Sequence, residues 1–162
     1  MKRHNIAPEF VRVSQKDGRA FLLDYYQGGP HFRFHYHTGF ELAMTRGSSG
    51  RRIIGDDTSE YSNRDLILCG PNLPHAWAPE TTESSDNIVC HFTMQSIGMD
   101  FMTKPELDKV KSMLNSSKKG LQFSQETIAK VEPLMVELTR IDGLEQLLNF
   151  LSILNILSLA EN

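Results

Sequence analysis

Residues 31–47 read HFRFHYHTGFELAMTRG. In the first seven, His31, Arg33, His35 and His37 hold one parity and Phe32, Phe34 and Tyr36 the other. Successive side chains of a strand point to opposite faces, so the alternation predicts a strand over Phe32–His37 with a histidine face and an aromatic face. Period two alone puts the aromatics in the core and the histidines in water. Glu41, four residues past His37, opens the opposite reading. Beyond a Thr38-Gly39 break, its carboxylate can come beside His35 and His37, and the histidine face then lines an interior.

The chain around this stretch reads as short strands as far as Met94. Further candidates are Phe10–Ser14, Ala20–Gln27, Glu41–Arg46, Arg51–Gly55, Thr58–Tyr61, Leu66–Cys69, His75–Ala78 and Asn87–Met94. Turn chemistry separates them at Gly28-Gly29-Pro30, Gly47-Ser48-Ser49-Gly50, Gly55-Asp56-Asp57, Ser62-Asn63 and Gly70-Pro71-Asn72. Many short strands with such turns favour a sandwich or barrel. The acidic stretch from Pro79 to Asp86 reads as a surface loop.

After Met99 the period becomes helical. Thr103 and Glu106 have capping-box spacing, with Pro105 in the first turn and Leu107, Val110 and Leu114 on one face. Ser124 is the next N-cap candidate, followed by a stripe of Ile128, Val131, Met135 and Leu138. Pro133 lies inside that helix and is expected to kink it; Asp142-Gly143 ends it. From Leu144 to about Ala160, one side carries Leu144, Leu147, Leu148, Leu151 and Leu154, and Phe150, Ile153, Ile156 and Leu157 widen the apolar sector beyond a usual stripe. Such a helix needs two partners. One is the sheet or the preceding helix. The other is a second subunit, against the alternative of burial within the monomer.

The histidine face carries the chemistry. Zinc, nickel, iron and manganese all accept imidazole nitrogen, so His35 and His37 can share one ion, with Glu41 and the distant His75 completing three imidazoles and a carboxylate. The same four residues can instead form an internal hydrogen-bond network with Glu41 as acceptor, or the polar anchors of an organic-ligand pocket. Arg33 can pair with an anionic ligand or form a rim salt bridge. Trp77 shares a face with His75 and can be a stacking surface or plain core. His91 can face the pocket or sit as a hydrogen-bonded core histidine. Of Arg51 and Arg52, at least one must be solvated, because neighbours in a strand face opposite ways.

Composition narrows the classes further. With 162 residues, 40% of them hydrophobic, the chain can bury one ordinary core. A net charge near -3, with no strong basic face, argues against nucleic-acid binding by these residues themselves. Cys69 and Cys90 follow apolar runs without metal-type spacing and read as buried free thiols, which fits a reducing cytoplasm. The N-terminus lacks the apolar stretch of a signal peptide. The run LLNFLSILNILSLA is shorter than the roughly 20 residues a membrane crossing needs, and polar residues interrupt it.

Two resemblances organise these residues. Gly29, His35, His37, Glu41 and Gly47 resemble the first cupin motif, with a Glu-to-Gly gap one residue shorter than in the enzymes. His75 stands at the ligand position of the second motif, where Arg64, Gly70 and Asn72 replace the Gly, Pro and Gly of enzyme cupins. The cupin resemblance implies a jelly-roll barrel with one divalent metal, Zn, Ni, Fe or Mn, on His35, His37, Glu41 and His75. FHYHTGFELAMTRGSSGRRIIGDD followed by NRDLILCGPNLPHAW is similar to the N-terminal sensor domain of the arabinose-operon-regulator (AraC) class of bacterial transcription factors. That likeness covers Phe32 to Trp77 closely and the IVCHF strand and C-terminal helices more loosely; Arg64 stands where a Gly normally precedes Asp-Leu.

What the second resemblance implies is a mainly β fold. A cupin double-stranded β-helix over residues 1–99 is followed by two or three helices over 100–162, packed on the barrel as one structural unit. It implies a cytoplasmic, non-enzymatic module that binds a small-molecule effector, a sugar by family analogy, through Arg33, His35, His37, Glu41, His75, Trp77 and His91. The C-terminal helices would form a homodimer, and DNA would be read only by a helix-turn-helix domain beyond Asn162. The chain is then a piece of a longer regulator, or a natural stand-alone sensor. The rival reading is a metal-dependent cupin isomerase or oxygenase on the same three histidines and glutamate; a third is a storage or structural cupin.

Overall fold

The structure, a computed structural model, describes residues 7–13, 18–28, 32–81 and 85–160. Among these, eight strands form: β1 (Glu9–Phe10), β2 (Phe21–Gln27), β3 (His35–Tyr36), β4 (Phe40–Ile54), β5 (Asp57–Cys69), β6 (His75–Thr81), β7 (Asp86–Phe92) and β8 (Leu121–Gln122). The helices are α1 (Met94–Ile97), α2 (Met99–Met102), α3 (Asp108–Ser116), α4 (Gln125–Leu138) and α5 (Gly143–Ser158).

The long antiparallel pair β4–β5, closed by a tight turn at Gly55-Asp56, is the spine of the fold. Gly47-Ser48-Ser49-Gly50 does not turn the chain, contrary to the expectation. It lies inside β4, where the register slips between Arg46 and Ser48. Gly47 takes a φ of +67° there, a left-handed conformation open to glycine at little cost. Opposite it, Asn63 has a φ of +55°, so the expected Ser62-Asn63 turn is also a distortion within one strand.

The bulge has two consequences. It flips the inward parity of β4: Glu41, Ala43 and Thr45 are buried before it, and Ser48, Gly50, Arg52 and Ile54 after it, the last four alternating with more exposed neighbours. It also bends the pair from one sheet into another. Before the bulge β4 pairs with β7, which pairs with β2; after it β4 pairs with β6, which reaches β3 and, through it, the parallel β1. Gly50 sits where β6 crosses so closely that an added Cβ would collide with the Ala78 carbonyl. The result is the jelly-roll barrel implied by the resemblance.

The strands sort two cores. Ala43, Ile54, Tyr61, Ile67, Cys69, Leu73, Trp77 and Val89 cluster inside the barrel. On the opposite face Leu42, Met44, Leu66, Leu68, Ile88 and Phe92 meet the helices through Val110, Leu114, Val131, Met135, Phe150 and Ile153. Phe150 of α5 stacks on Phe21 at 4.1 Å and meets Phe92 edge-on at 5.2 Å. Among the described residues no helix is long and apolar enough to cross a membrane.

Local readings are corrected at several points. The expected strand Phe32–His37 shortens to His35–Tyr36; on its aromatic face Phe32 is exposed and Tyr36 packs on Phe10. Pro79–Thr81 continue β6 rather than opening a loop, and β7 ends at Phe92, so Met94 begins a helix. Thr103 does not cap α3. It closes α2, its hydroxyl donating to the Asp100 carbonyl, and the capping box forms instead between Thr93 and Ser96. Ser124 does cap α4, and α4 runs through Pro133. Gly29, Pro30, His31 and Ser14 lie outside the described residues.

Candidate functional site

Strand register assembles the site. β3 opposite β6 puts His35 beside His75; β4 between β5 and β7 puts Glu41 between Cys69 and His91. The β5–β6 turn is tied to the start of β4 by the Asn72 amide, which donates to the His37 carbonyl at 2.7 Å. His37, Glu41 and His75 are buried and His35 half-buried. The expected foursome is thus brought together, with ligand atoms all within 4.8 Å of one another.

Each of the three histidines turns Nδ1 to a backbone carbonyl. His35 faces Arg33 O at 2.9 Å, His37 faces Gly39 O at 3.0 Å and His75 faces Leu73 O at 2.8 Å. A carbonyl only accepts, so these Nδ1 atoms carry the protons and Nε2 is the free ligand atom. The Nε2 atoms of His37 and His75 lie 2.9 and 3.3 Å from Glu41 Oε2, another acceptor. A neutral imidazole has one proton and cannot donate at both nitrogens. Each contact to Glu41 therefore requires a second proton or a cation shared between nitrogen and carboxylate. Ring N–H groups fixed on carbonyls with the other nitrogens converging on a carboxylate are what metal-ligating histidines present. The donor set fits Zn, Ni, Fe or Mn.

The electrostatics without an ion follow from burial and proximity. Burial pushes the Glu41 carboxyl up, but His75, His37 and His91 overcome it and hold it well below the usual carboxylate range. Burial lowers His75, yet Glu41 and the Cys69 thiol beside it carry it up to about 11. His35 and His91 are lowered, chiefly by burial. The Cys69 and Cys90 thiols are free, buried and raised by burial, as buried structural cysteines should be.

Above the cluster opens a cavity of about 540 Å³. Val11, Arg12 and Val13 line one side, Leu22, Asp24 and Tyr26 of β2 another, and Arg33, His35, Glu41, Trp77, Val89 and His91 complete it. His91 faces this cavity, 3.6 Å from Glu41 and 3.6 Å from Asp24. Arg33 lines it while pairing with Glu9 at 3.3 Å. Trp77 belongs both to the inner core and to the cavity wall, its indole N–H donating to Asp65 at 3.1 Å. Asp65 also holds Arg52, the buried one of the arginine pair, while Arg51 is exposed. Asp24, Tyr26, Leu22 and Arg12 were not singled out from sequence. The parity of Leu22, Asp24 and Tyr26 was a usable signal; Arg12 had none, because β1 is placed by its distant pairing with β3.

No protein-family model and no curated protein matches the sequence. Solved structures are similar to it over part or most of its length. ToxT from Vibrio cholerae bound to (E)-4-(8-methylnaphthalen-1-yl)but-3-enoic acid is 13% identical, covering 83% of this chain and 54% of that one, with a TM-score of 0.53. An apo form of ToxT from Vibrio cholerae is 12% identical over 85% and 53% of the two chains, with a TM-score of 0.51. A cupin conserved-barrel protein from Rhodopseudomonas palustris is 15% identical over 57% and 68%, with a TM-score of 0.38. The chain spans about half the length of the ToxT chains. The fold of this chain is therefore that of the barrel and helices it shares with ToxT.

Proposed function

We propose that this chain is the small-molecule-sensing and dimerisation domain of an AraC-type cytoplasmic transcription regulator. The barrel of residues 1–99 and the helical segment of 100–162 act as one unit. The effector occupies the barrel cavity against Arg33, His35, His37, Glu41, His75, Trp77 and His91. DNA is reached only through a further domain. ToxT, whose fold the chain shares, is a regulator of that class, and its structure with a bound organic acid supports the sensing role.

The observation that carries this reading is the two-faced construction of β2, β4 and β7. Leu22, Glu41 and His91 face the cavity, while their chain neighbours Phe21, Leu42 and Phe92 pack under the helices. Phe150 rests on Phe21 and Phe92, so an occupant that pushes on Leu22 or His91 pushes on α5. The far side of α5 exposes Leu144 (70%), Leu148 (55%) and, just past its end, Leu159 (56%). An apolar stripe of that kind marks a partner surface. A ligand that favours one setting of α5 would then bias the pairing of two subunits.

His35, His37, Glu41 and His75 would hold a divalent ion on the cavity floor. When bound, such an ion supplies a Lewis-acidic position for an oxygen or nitrogen atom of the occupant. The metal-enzyme reading uses the same four residues, but the helical cover behind the cavity strands favours sensing. Sedimentation equilibrium tests the dimer. The chain should be dimeric at tens of micromolar, and Leu148→Glu, at an exposed position, should be a folded monomer. A wild-type monomer would overturn the assignment.

A further inference from the structure

Resting on the sensor reading, we propose that the cavity occupant is an amphipathic organic anion. Its acidic head is held by Arg12 and Arg33, and its apolar body lies against Leu22, Val89 and Trp77. Of the two carboxylates on the wall, Glu41 is engaged by His37 and His75, and Asp24 is solvent-exposed, 3.6 Å from His91. The arginines have donors to spare. Arg12 has no ion pair or hydrogen bond among the described residues, and Arg33 spends Nε and one terminal nitrogen on a single oxygen of the exposed Glu9, at 3.3 Å each. Two guanidinium forks lining one cavity match the planar, two-oxygen head of a carboxylate, sulfonate or phosphate monoester.

The wall also carries Asp24, Tyr26, His35, Glu41 and His91; its apolar part selects the body. Val11, Val13, Leu22 and Val89 offer no hydrogen-bonding side chain, and the Trp77 indole N–H is committed to Asp65, so the ring presents only carbon. The hydroxyls of a polyol would face aliphatic carbon there and lose their water without compensation. An alkyl or ring body loses nothing by the same transfer. At about 540 Å³ the cavity lies within the range of small-molecule pockets, large enough for a head and an extended apolar body.

Trp77 is the only tryptophan in the chain and lines the cavity, so its fluorescence reports occupancy. Titration with cyclohexylbutyrate and with cyclohexylbutanol, which differ only in the head, reads the charge requirement, and L-arabinose serves as the polyol. The acid should give a saturable change, with the alcohol weaker by about tenfold or more, the worth of one charge-assisted hydrogen bond. Arg12→Gln and Arg33→Gln, both at exposed positions, should each weaken the acid by a similar factor and the alcohol much less. Equal binding of acid and alcohol, or an acid affinity unmoved in both variants, would overturn the proposal. Binding of L-arabinose alone would overturn the anionic class while leaving the sensor reading standing. No response to any of the three would overturn both.

Discussion

Glu41 is the residue on which most of the site depends. One buried carboxylate oxygen is shared by His37 and His75 and approached by His91. In metal-free protein its worth depends on pH from two sides. The lowered Glu41 contributes stability above its ordinary value of 4.5, and this is lost as pH falls through the folded value. The raised His75 contributes fully below its ordinary 6.5, and this is lost as pH climbs towards about 11. The pair therefore stabilises most between 4.5 and 6.5. Urea midpoints of chelator-treated protein should decline above that window. Glu41→Gln should cost about 3 kcal/mol inside it, as expected when one partner of a buried pair is removed, and should flatten the decline above it. A wild-type-like alkaline decline in the variant would show that His75 is not held by Glu41.

At the scale of elements, β4 and α5 do the positioning. Phe150 is fully buried between Phe21 and Phe92, so Phe150→Ala should cost about 3–5 kcal/mol by chemical denaturation. A loss below about 1 kcal/mol would mean that α5 does not anchor on the cavity strands. The sequence made His35, His37, Glu41 and His75 legible because spacing within one seven-residue stretch and a Gly-Pro-Asn turn before a later strand are local features. The course of β4 was not legible. Gly-Ser-Ser-Gly has the chemistry of a turn, and only pairing to β6 on one side and β5 on the other keeps it extended. The same limit hid Arg12. Thr103 misled for a different reason: its hydroxyl had a nearer carbonyl, that of Asp100, to bond. The apolar sector on α5 is as wide as its sequence suggests, but the face splits differently from the simple stripe. Leu144 and Leu148 are exposed, while Phe150, Ile153 and Leu157 are buried.

At the scale of the molecule, the barrel is a cup whose floor is polar, whose wall carries Arg12 and Arg33 and whose back is apolar and helix-covered. A floor built this way should take up one zinc, nickel, iron or manganese per chain, and binding should release protons because His75 must give up its own. Elemental analysis of untagged protein with a His37→Ala control checks this; folded wild-type protein that takes up no metal would leave the floor as a hydrogen-bond network only. The central claim is that the cavity and the α5 surface are coupled through Phe21, Phe92 and Phe150. Amide hydrogen exchange tests it most directly, on the chain alone and with whichever acid, alcohol or sugar shifts Trp77 fluorescence. Slower exchange is expected in Gly143–Ser158 as well as in β2 and β7. A change confined to the cavity strands, with α5 exchanging as before, would contradict it.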